Sequence, residues 1–150
     1  MIITFIGHSS LYDDMNLSEK IRDVILTNAN AQEKLLFYCG GYGDFDNICA
    51  KVCRSIRDEK VDSEVIFVTP YITEAQQKKI KYLLDGNLYD STTYPPLENV
   101  LPRFAISKRN EWMIDMADLI IAYVKFSCGG AYKSLEYARK KQKRIINLAK

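Results

Sequence analysis

An unbroken apolar run from Leu119 to Val124 is the feature that most constrains the fold of this chain. A run without polar alternation is typical of a parallel strand that helices cover on both faces. The run follows an amphipathic segment containing Trp112 and precedes Gly129-Gly130, where another helical pattern begins. The order of helix, buried strand, glycine turn and helix predicts a repeating unit of a parallel α/β sheet.

Further apolar runs repeat this unit along the chain. They alternate with helical patterns, and such strands form right-handed βαβ crossovers in a parallel sheet. We therefore predict an α/β protein, a single Rossmann-like three-layer domain over residues 1–150 with a mainly parallel sheet of five to six strands. The additional predicted strands are 1–6, 34–39, 65–69 and 144–148, with a strand fragment within 88–96.

Composition narrows the possible partners and locations. The net charge of +2 disfavours a nucleic-acid partner, although the last dozen residues are basic. No stretch approaches the ~20 apolar residues that span a bilayer, and the N-terminus lacks the charged region of a signal peptide. The four cysteines lie in or beside apolar segments, far from the single histidine, His8. We expect a cytoplasmic protein with reduced thiols, no metal site and no bound cofactor.

Three turns at the carboxyl ends of predicted strands are candidate ligand loops. Ligands of open parallel sheets bind at this edge, near the point where strand order reverses. Glycine lets a ligand approach the backbone closely, and a helix that follows directs its free N–H groups at an anion. We therefore expect phosphate at the third turn and ribose at the second. The turns contain Gly7 and His8; Gly40, Gly41, Gly43 and Asp44; and Gly129, Gly130 and Ala131.

Neither standard nucleotide motif is present. A dinucleotide fingerprint needs three spaced glycines in the first turn, which has only Gly7, and no Gly-Lys-Ser/Thr follows any strand. Alternatives therefore stay open for several residues. The fold alone could require the glycine turns, Arg109 could be solvated surface charge, His8 an ordinary loop residue, and Asp46 a helix cap rather than a ribose contact.

Four motifs are spread over both halves of the chain. They are Arg109-Asn110-x-x-Met113, Ala117-Asp118, Gly129-Gly130-Ala131 with Ser134-x-x-Tyr137-Ala138, and the turn GGYGDFD at 40–46. Together they resemble the SLOG superfamily of Rossmann-like nucleotide-binding proteins, especially its YpsA-like branch. The resemblance implies that the ligand is a nucleotide or a nucleotide-derived, ADP-ribose-like small molecule, and that the protein is a sensor or ligand-binding module.

The same superfamily includes the LOG phosphoribohydrolases, which split the N-glycosidic bond of a cytokinin nucleotide. Their arginine falls on Arg109 and their glutamate on Glu136, whereas their lysine is replaced by Asn110 and their Gly-Thr pair by Tyr132-Lys133. The resemblance thus implies catalytic roles for Glu136 and Arg109. It leaves open an alternative function as an N-glycosidic hydrolase or transferase of the LOG or nucleoside deoxyribosyltransferase type, acting on nucleoside monophosphates. A protein-binding adaptor is a third possibility.

One helix has more apolar surface than its own sheet would bury. SLOG and LOG proteins commonly pair through helices, and Trp112, Met113, Ile114 and Met116 give one helix more apolar surface than a single stripe. We therefore expect a homodimer or larger oligomer. The predicted nucleotide contacts are Gly7, His8, Gly40, Gly41, Gly43, Asp44, Arg109, Asn110, Gly129, Gly130, Ala131 and Ser134.

Overall fold

The computed structural model describes residues 1–11, 16–30 and 32–149. Within these ranges, six parallel strands form one sheet in the order β4-β3-β2-β1-β5-β6. The predicted α/β fold with a parallel sheet is confirmed. The elements are β1 (Ile2–Gly7), α1 (Leu17–Asn28), β2 (Leu35–Cys39), α2 (Asp44–Asp58), β3 (Ser63–Val68), α3 (Glu74–Asp85), β4 (Ser91–Thr93), a short 3₁₀ helix (Pro102–Phe104), α4 (Ala105–Met116), β5 (Leu119–Tyr123), α5 (Gly129–Lys140) and β6 (Ile145–Asn147).

The helices form two layers because the chain reverses its direction across the sheet. From β1 to β4 each new strand is added on one side, and right-handed crossovers place α1, α2 and α3 on one face. The chain then returns to the other side of β1, so α4 and α5 pack on the opposite face. The strand order therefore reverses between β1 and β5. In this fold class a ligand crevice lies at the carboxyl ends of such a strand pair.

The apolar run of β5 is explained by this position in the sheet. Leu119 and Ile121 pack into the core beneath α1 and α2, whereas Ile120 and Ala122 pack into the core beneath α4 and α5. All four side chains are completely buried. A strand covered on both faces gains hydrophobic stabilisation from every residue, so polar alternation is absent.

Several boundaries differ from the sequence-based expectation. Helix α2 begins at Asp44 with Gly43 at its cap position, so the interpretation of Asp46 as the cap is wrong. Helix α5 begins at Gly129, and the glycine pair therefore belongs to its first turn instead of preceding it. Thr73 caps α3, since its hydroxyl accepts a hydrogen bond from the Gln76 N–H. In the part of the chain described, no helix is long and apolar enough to cross a membrane.

Candidate functional site

A cavity of about 480 Å³ opens at the carboxyl ends of β1 and β5, where strand order reverses. The loops after β1 and β5, the start of α5 and the inner side of α4 surround it. The structure thus brings together predicted contacts that are more than a hundred residues apart in the chain. The predicted residues that line the cavity are Gly7, His8, Arg109, Asn110, Gly129, Gly130, Ala131 and Ser134.

The second glycine turn, at residues 40–44, packs against the loop after β1 that lines the cavity. Gly43 has a φ of +92°, and a Cβ there would lie 2.5 Å from the Cα of Ser9 in the loop after β1. The Asp44 N–H donates to the Ser9 carbonyl at 2.9 Å, and its carboxylate accepts from the Leu11 N–H at 3.0 Å. The turn therefore braces the first loop. The predicted residues Gly40, Gly41, Gly43 and Asp44 are not among the described residues that line the cavity.

The start of α5 provides an unobstructed helix N-terminus. Apart from neighbouring residues and the backbone of the helix itself, a Cβ on Gly129 or Gly130 would meet no described atom within 4 Å, and Gly129 has a φ of +89°. The cap residue Cys128 is extended, and no described side chain caps the helix. The first N–H groups of a helix have no partner within it and carry the positive end of its dipole. This arrangement can bind an anion.

Arg109 on α4 is almost completely buried, with 2 % of its surface exposed, so the surface-charge alternative is wrong. Its Nη1 donates to the carbonyls of Gly40 at 2.9 Å and Val68 at 2.8 Å, and its Nε donates to Asn110 Oδ1 at 2.9 Å. Burial lowers the pKa of Arg109, and the carboxylate of Asp46 opposes that effect. The side chain thus joins α4 to the ends of β2 and β3. Because Nε and Nη1 are used in these bonds, only Nη2 is left for a ligand, and the guanidinium cannot bind it through two nitrogens.

Asp46 on α2 is a half-buried carboxylate in the cavity wall. Its Oδ2 accepts a hydrogen bond from the Tyr42 N–H at 3.0 Å. Burial raises the pKa of Asp46 to about 6, although the Tyr42 N–H and Arg109 act in the opposite direction. The sequence contains a signal for this position, because Asp46 precedes Cys49 and Cys53 by three and seven residues, on the apolar stripe of the helix.

The mouth of the cavity contains exposed aromatic side chains that sequence reasoning missed. Tyr42 has 65 % and Phe126 57 % of its surface exposed. The ring of Phe126 packs against His8 at 5.2 Å between centroids, and His8 Nε2 accepts from the Lys125 N–H at 2.9 Å. Exposed rings beside a cavity can stack on a planar ligand. Aromatic residues in loops give no periodic signal, so only the folded chain reveals their position.

Glu136 and the four cysteines differ in their position relative to the cavity. Glu136 lies outside the described cavity lining, and its Oε1 accepts from Arg139 Nη1 at 2.6 Å. The cysteines are free thiols: Cys39, Cys49 and Cys53 are buried, as expected for structural thiols, whereas Cys128 is exposed and lines the cavity. The described lining of the cavity therefore includes one thiol, Cys128, and one carboxylate, Asp46, which the sequence analysis left open as a ribose contact.

Comparison with protein-family models and with curated protein sequences finds no match. Solved structures do match. DNA processing protein A from Streptococcus pneumoniae aligns with a TM-score of 0.59 and 14% identity over 95% of this chain and 48% of that one. The same protein from Helicobacter pylori, described with a single-stranded DNA binding mode, aligns with a TM-score of 0.58 and 15% identity over 97% of this chain and 63% of that one.

A third structure is the Moco carrier protein of Chlamydomonas rheinhardtii, with a TM-score of 0.51 and 15% identity over 98% of this chain and 74% of that one. This chain thus spans about half to two thirds of the length of the DNA processing proteins. At these identities the likeness concerns the fold alone. What this chain shares with the three proteins is a Rossmann-like α/β fold.

Proposed function

We propose that the cavity at the carboxyl ends of β1 and β5 binds a nucleotide or a nucleotide-derived, ADP-ribose-like small molecule, and that the protein is a cytoplasmic sensor or ligand-binding module of the YpsA-like branch. The observation on which this proposal rests is the open N-terminus of α5 inside the cavity. Apart from neighbouring residues and the backbone of the helix itself, no described atom lies within 4 Å of the position that a Cβ of Gly129 or Gly130 would occupy. A phosphate fits this space, and the helix dipole favours its charge.

The remaining walls suit the other parts of a nucleotide. A cavity of about 480 Å³ falls within the range of small-molecule sites, roughly 300 to 1,000 Å³. Phe126 and Tyr42 offer ring faces for a base, while Ser9, Ser134 and Asn110 offer polar groups. A metabolite with a phosphate at one end and a planar ring at the other would contact both kinds of surface.

Substitution of Gly130 tests the phosphate position. We expect Gly130→Asp to reduce nucleotide affinity by about tenfold or more, because it puts a negative charge where the phosphate should lie. The uncharged Gly130→Asn has the same shape and should have a smaller effect. Both variants should fold, since the space is open and the φ of Gly130 suits any residue. Calorimetry with AMP, GMP and ADP-ribose measures the difference, and equal affinities for both variants and the wild type would contradict the phosphate position.

A broader screen tests the ligand class. At about 100 times its dissociation constant, a ligand should raise the free energy of unfolding by about 2.7 kcal/mol. The thermal-shift panel includes nucleotides, ADP-ribose and, because one similar structure is described with single-stranded DNA, a short oligonucleotide. Stabilisation by the oligonucleotide alone would replace the small-molecule proposal with a nucleic-acid one, and a flat response across the panel would reject both.

The hydrolase alternative depends on Glu136. Its carboxylate pairs with Arg139 and it is not one of the described residues that line the cavity, so its position does not favour attack on a bound sugar. Release of free base from nucleoside monophosphates, slowed by Glu136→Gln, would nevertheless establish that activity, since loss of a general acid or base costs ~10² to 10⁴ in rate.

A further inference from the structure

Two charged side chains meet at the inner wall of the cavity beside Gly40. Arg109 Cζ and Asp46 Oδ2 each lie 3.2 Å from the point that a Cβ of Gly40 would occupy, so the absence of a side chain there lets them face each other. No ion pair within 4.0 Å joins Asp46 to any described cation. The carboxylate is thus close to a buried positive charge without being paired to it.

Each of these side chains has one polar atom left for a ligand. Asp46 uses Oδ2 for the Tyr42 N–H, and Arg109 uses Nε and Nη1 for protein oxygens. No described residue bonds to Asp46 Oδ1 or Arg109 Nη2. No fully buried side-chain nitrogen or oxygen in the described chain lacks a partner, so these two atoms are not fully buried. Both residues line the cavity, so an acceptor and a donor are presented to its contents.

We propose that Asp46 and Arg109 form a recognition pair that selects a ligand group with a hydrogen-bond donor beside an acceptor, and that Asp46 determines specificity. This inference rests on the proposed function, since it concerns the same cavity. Asp46 Oδ1 accepts from the ligand donor, and Arg109 Nη2 donates to the ligand acceptor. Such a donor and acceptor pair occurs in the hydroxyls of ribose and in the lactam edge of a hypoxanthine or guanine base.

The pair gives a reason for a carboxylate, rather than an amide, at this position. A half-buried carboxylate that served only to accept the Tyr42 N–H could be replaced by an amide, which accepts the same bond without the cost of removing a charge from water. An ionised Oδ1 binds a ligand donor more strongly than a neutral acceptor does. The buried Arg109, fixed by three hydrogen bonds to oxygens, keeps the donor in a constant position.

The test uses nucleotides that differ by single polar groups. One comparison measures the affinities of AMP, 2′-deoxy-AMP and 3′-deoxy-AMP, and it detects recognition of the ribose hydroxyls. The other compares IMP with purine riboside 5′-monophosphate, which lacks the lactam, and it detects recognition of the lactam edge of the base. We expect wild-type protein to prefer the complete ligand by about tenfold or more in one comparison, because the analogue leaves Oδ1 without a donor.

Asp46→Asn should abolish that preference. The amide oxygen can keep the bond to the Tyr42 N–H, which turns the amide nitrogen toward the cavity and replaces an acceptor with a donor. Asp58→Asn removes an exposed carboxylate from the other end of α2 and is the matched control, with affinities equal to wild type. If nucleotides bind and Asp46→Asn discriminates as the wild type does, the recognition pair is overturned while the proposed function stands. If no nucleotide binds the wild type, both fail.

Discussion

At the residue scale, Asp46 lies in the cavity wall and its charged form destabilises the folded protein. Its pKa is raised by burial from 3.8 to about 6, so the folded state holds this proton more tightly than the unfolded chain does. The free energy of unfolding contributed by this group therefore falls as pH rises from about 4 to about 6. At neutral pH the protein therefore carries a buried charge that destabilises it, and such perturbed groups cluster at functional sites.

Asp46→Asn is expected to stabilise the protein at pH 8 and to leave its stability unchanged near pH 3.5. Each pK unit corresponds to about 1.4 kcal/mol, so the gain at pH 8 should be on the order of 3 kcal/mol. Urea unfolding of wild type and variant at both pH values gives the difference directly. Asp58→Asn should show no such pH-dependent gain. An Asp46→Asn effect of the same size at both pH values would mean that charge burial is not its cause.

The position of the candidate site at the strand ends could be predicted, whereas its charged wall could not. Gly7 ends β1, His8 follows it, and Gly129 begins the helix after β5, and parallel strands end at a common edge. The partners of Arg109 are Gly40 and Val68, which are 69 and 41 residues away in the chain. Nothing local distinguishes such an arginine from a solvated one, so its burial becomes visible only when α4 packs across β2 and β3.

At the scale of elements, burial explains which predictions succeeded. Strands such as β5 were predicted because both faces are buried and every residue is apolar. Glycine has a poor helix propensity, so the sequence predicts a turn at Gly129 and Gly130, whereas these residues form the first turn of α5. In the folded chain, Cys128 and Gly129 have the dihedral angles that start the helix at the cavity.

The contact between the first two loops should depend on Gly43. Its φ of +92° is nearly restricted to glycine, and a Cβ would lie 2.5 Å from backbone of Ser9. We expect Gly43→Ala to lower the free energy of unfolding by about 2 kcal/mol or more and to weaken nucleotide binding, because the loop after β1 must move.

Gly86→Ala is the matched control for this substitution. Gly86 ends α3 with a φ of −75°, and a Cβ there comes no closer than 3.4 Å to other atoms. Alanine at such a position should change stability by less than about 1 kcal/mol, with a gain expected. Urea unfolding midpoints compare the two variants. Similar losses in both would show that the backbone near Ser9 adapts to a side chain at Gly43.

At the scale of the whole molecule, the layer formed by α4 and α5 has apolar surface left over. Trp112 stacks on Tyr38 of β2 at 5.5 Å between centroids, and Met113 and Ile114 are buried, so most of the apolar surface of α4 is used within one chain. Met116, one turn after Trp112, keeps 43 % of its surface exposed. The exposed apolar surface of α4 is therefore smaller than the sequence predicted. It lies on the outer side of the helix, at Met116.

We still expect a homodimer that pairs through α4, with Trp112 and Met116 at its centre. Light scattering coupled to gel filtration at tens of micromolar should then give about twice the chain mass of 17.3 kDa. Met116→Lys should shift the mass to that of one chain without lowering stability, because an exposed charge disfavours an apolar interface and costs the monomer little. Leu26→Lys, at a comparably exposed position on α1, is the control and should leave the dimer intact. A wild-type mass near 17.3 kDa would show instead that every group contacting the ligand comes from a single chain, and the cavity between β1 and β5 would have to bind its ligand without help from a second copy.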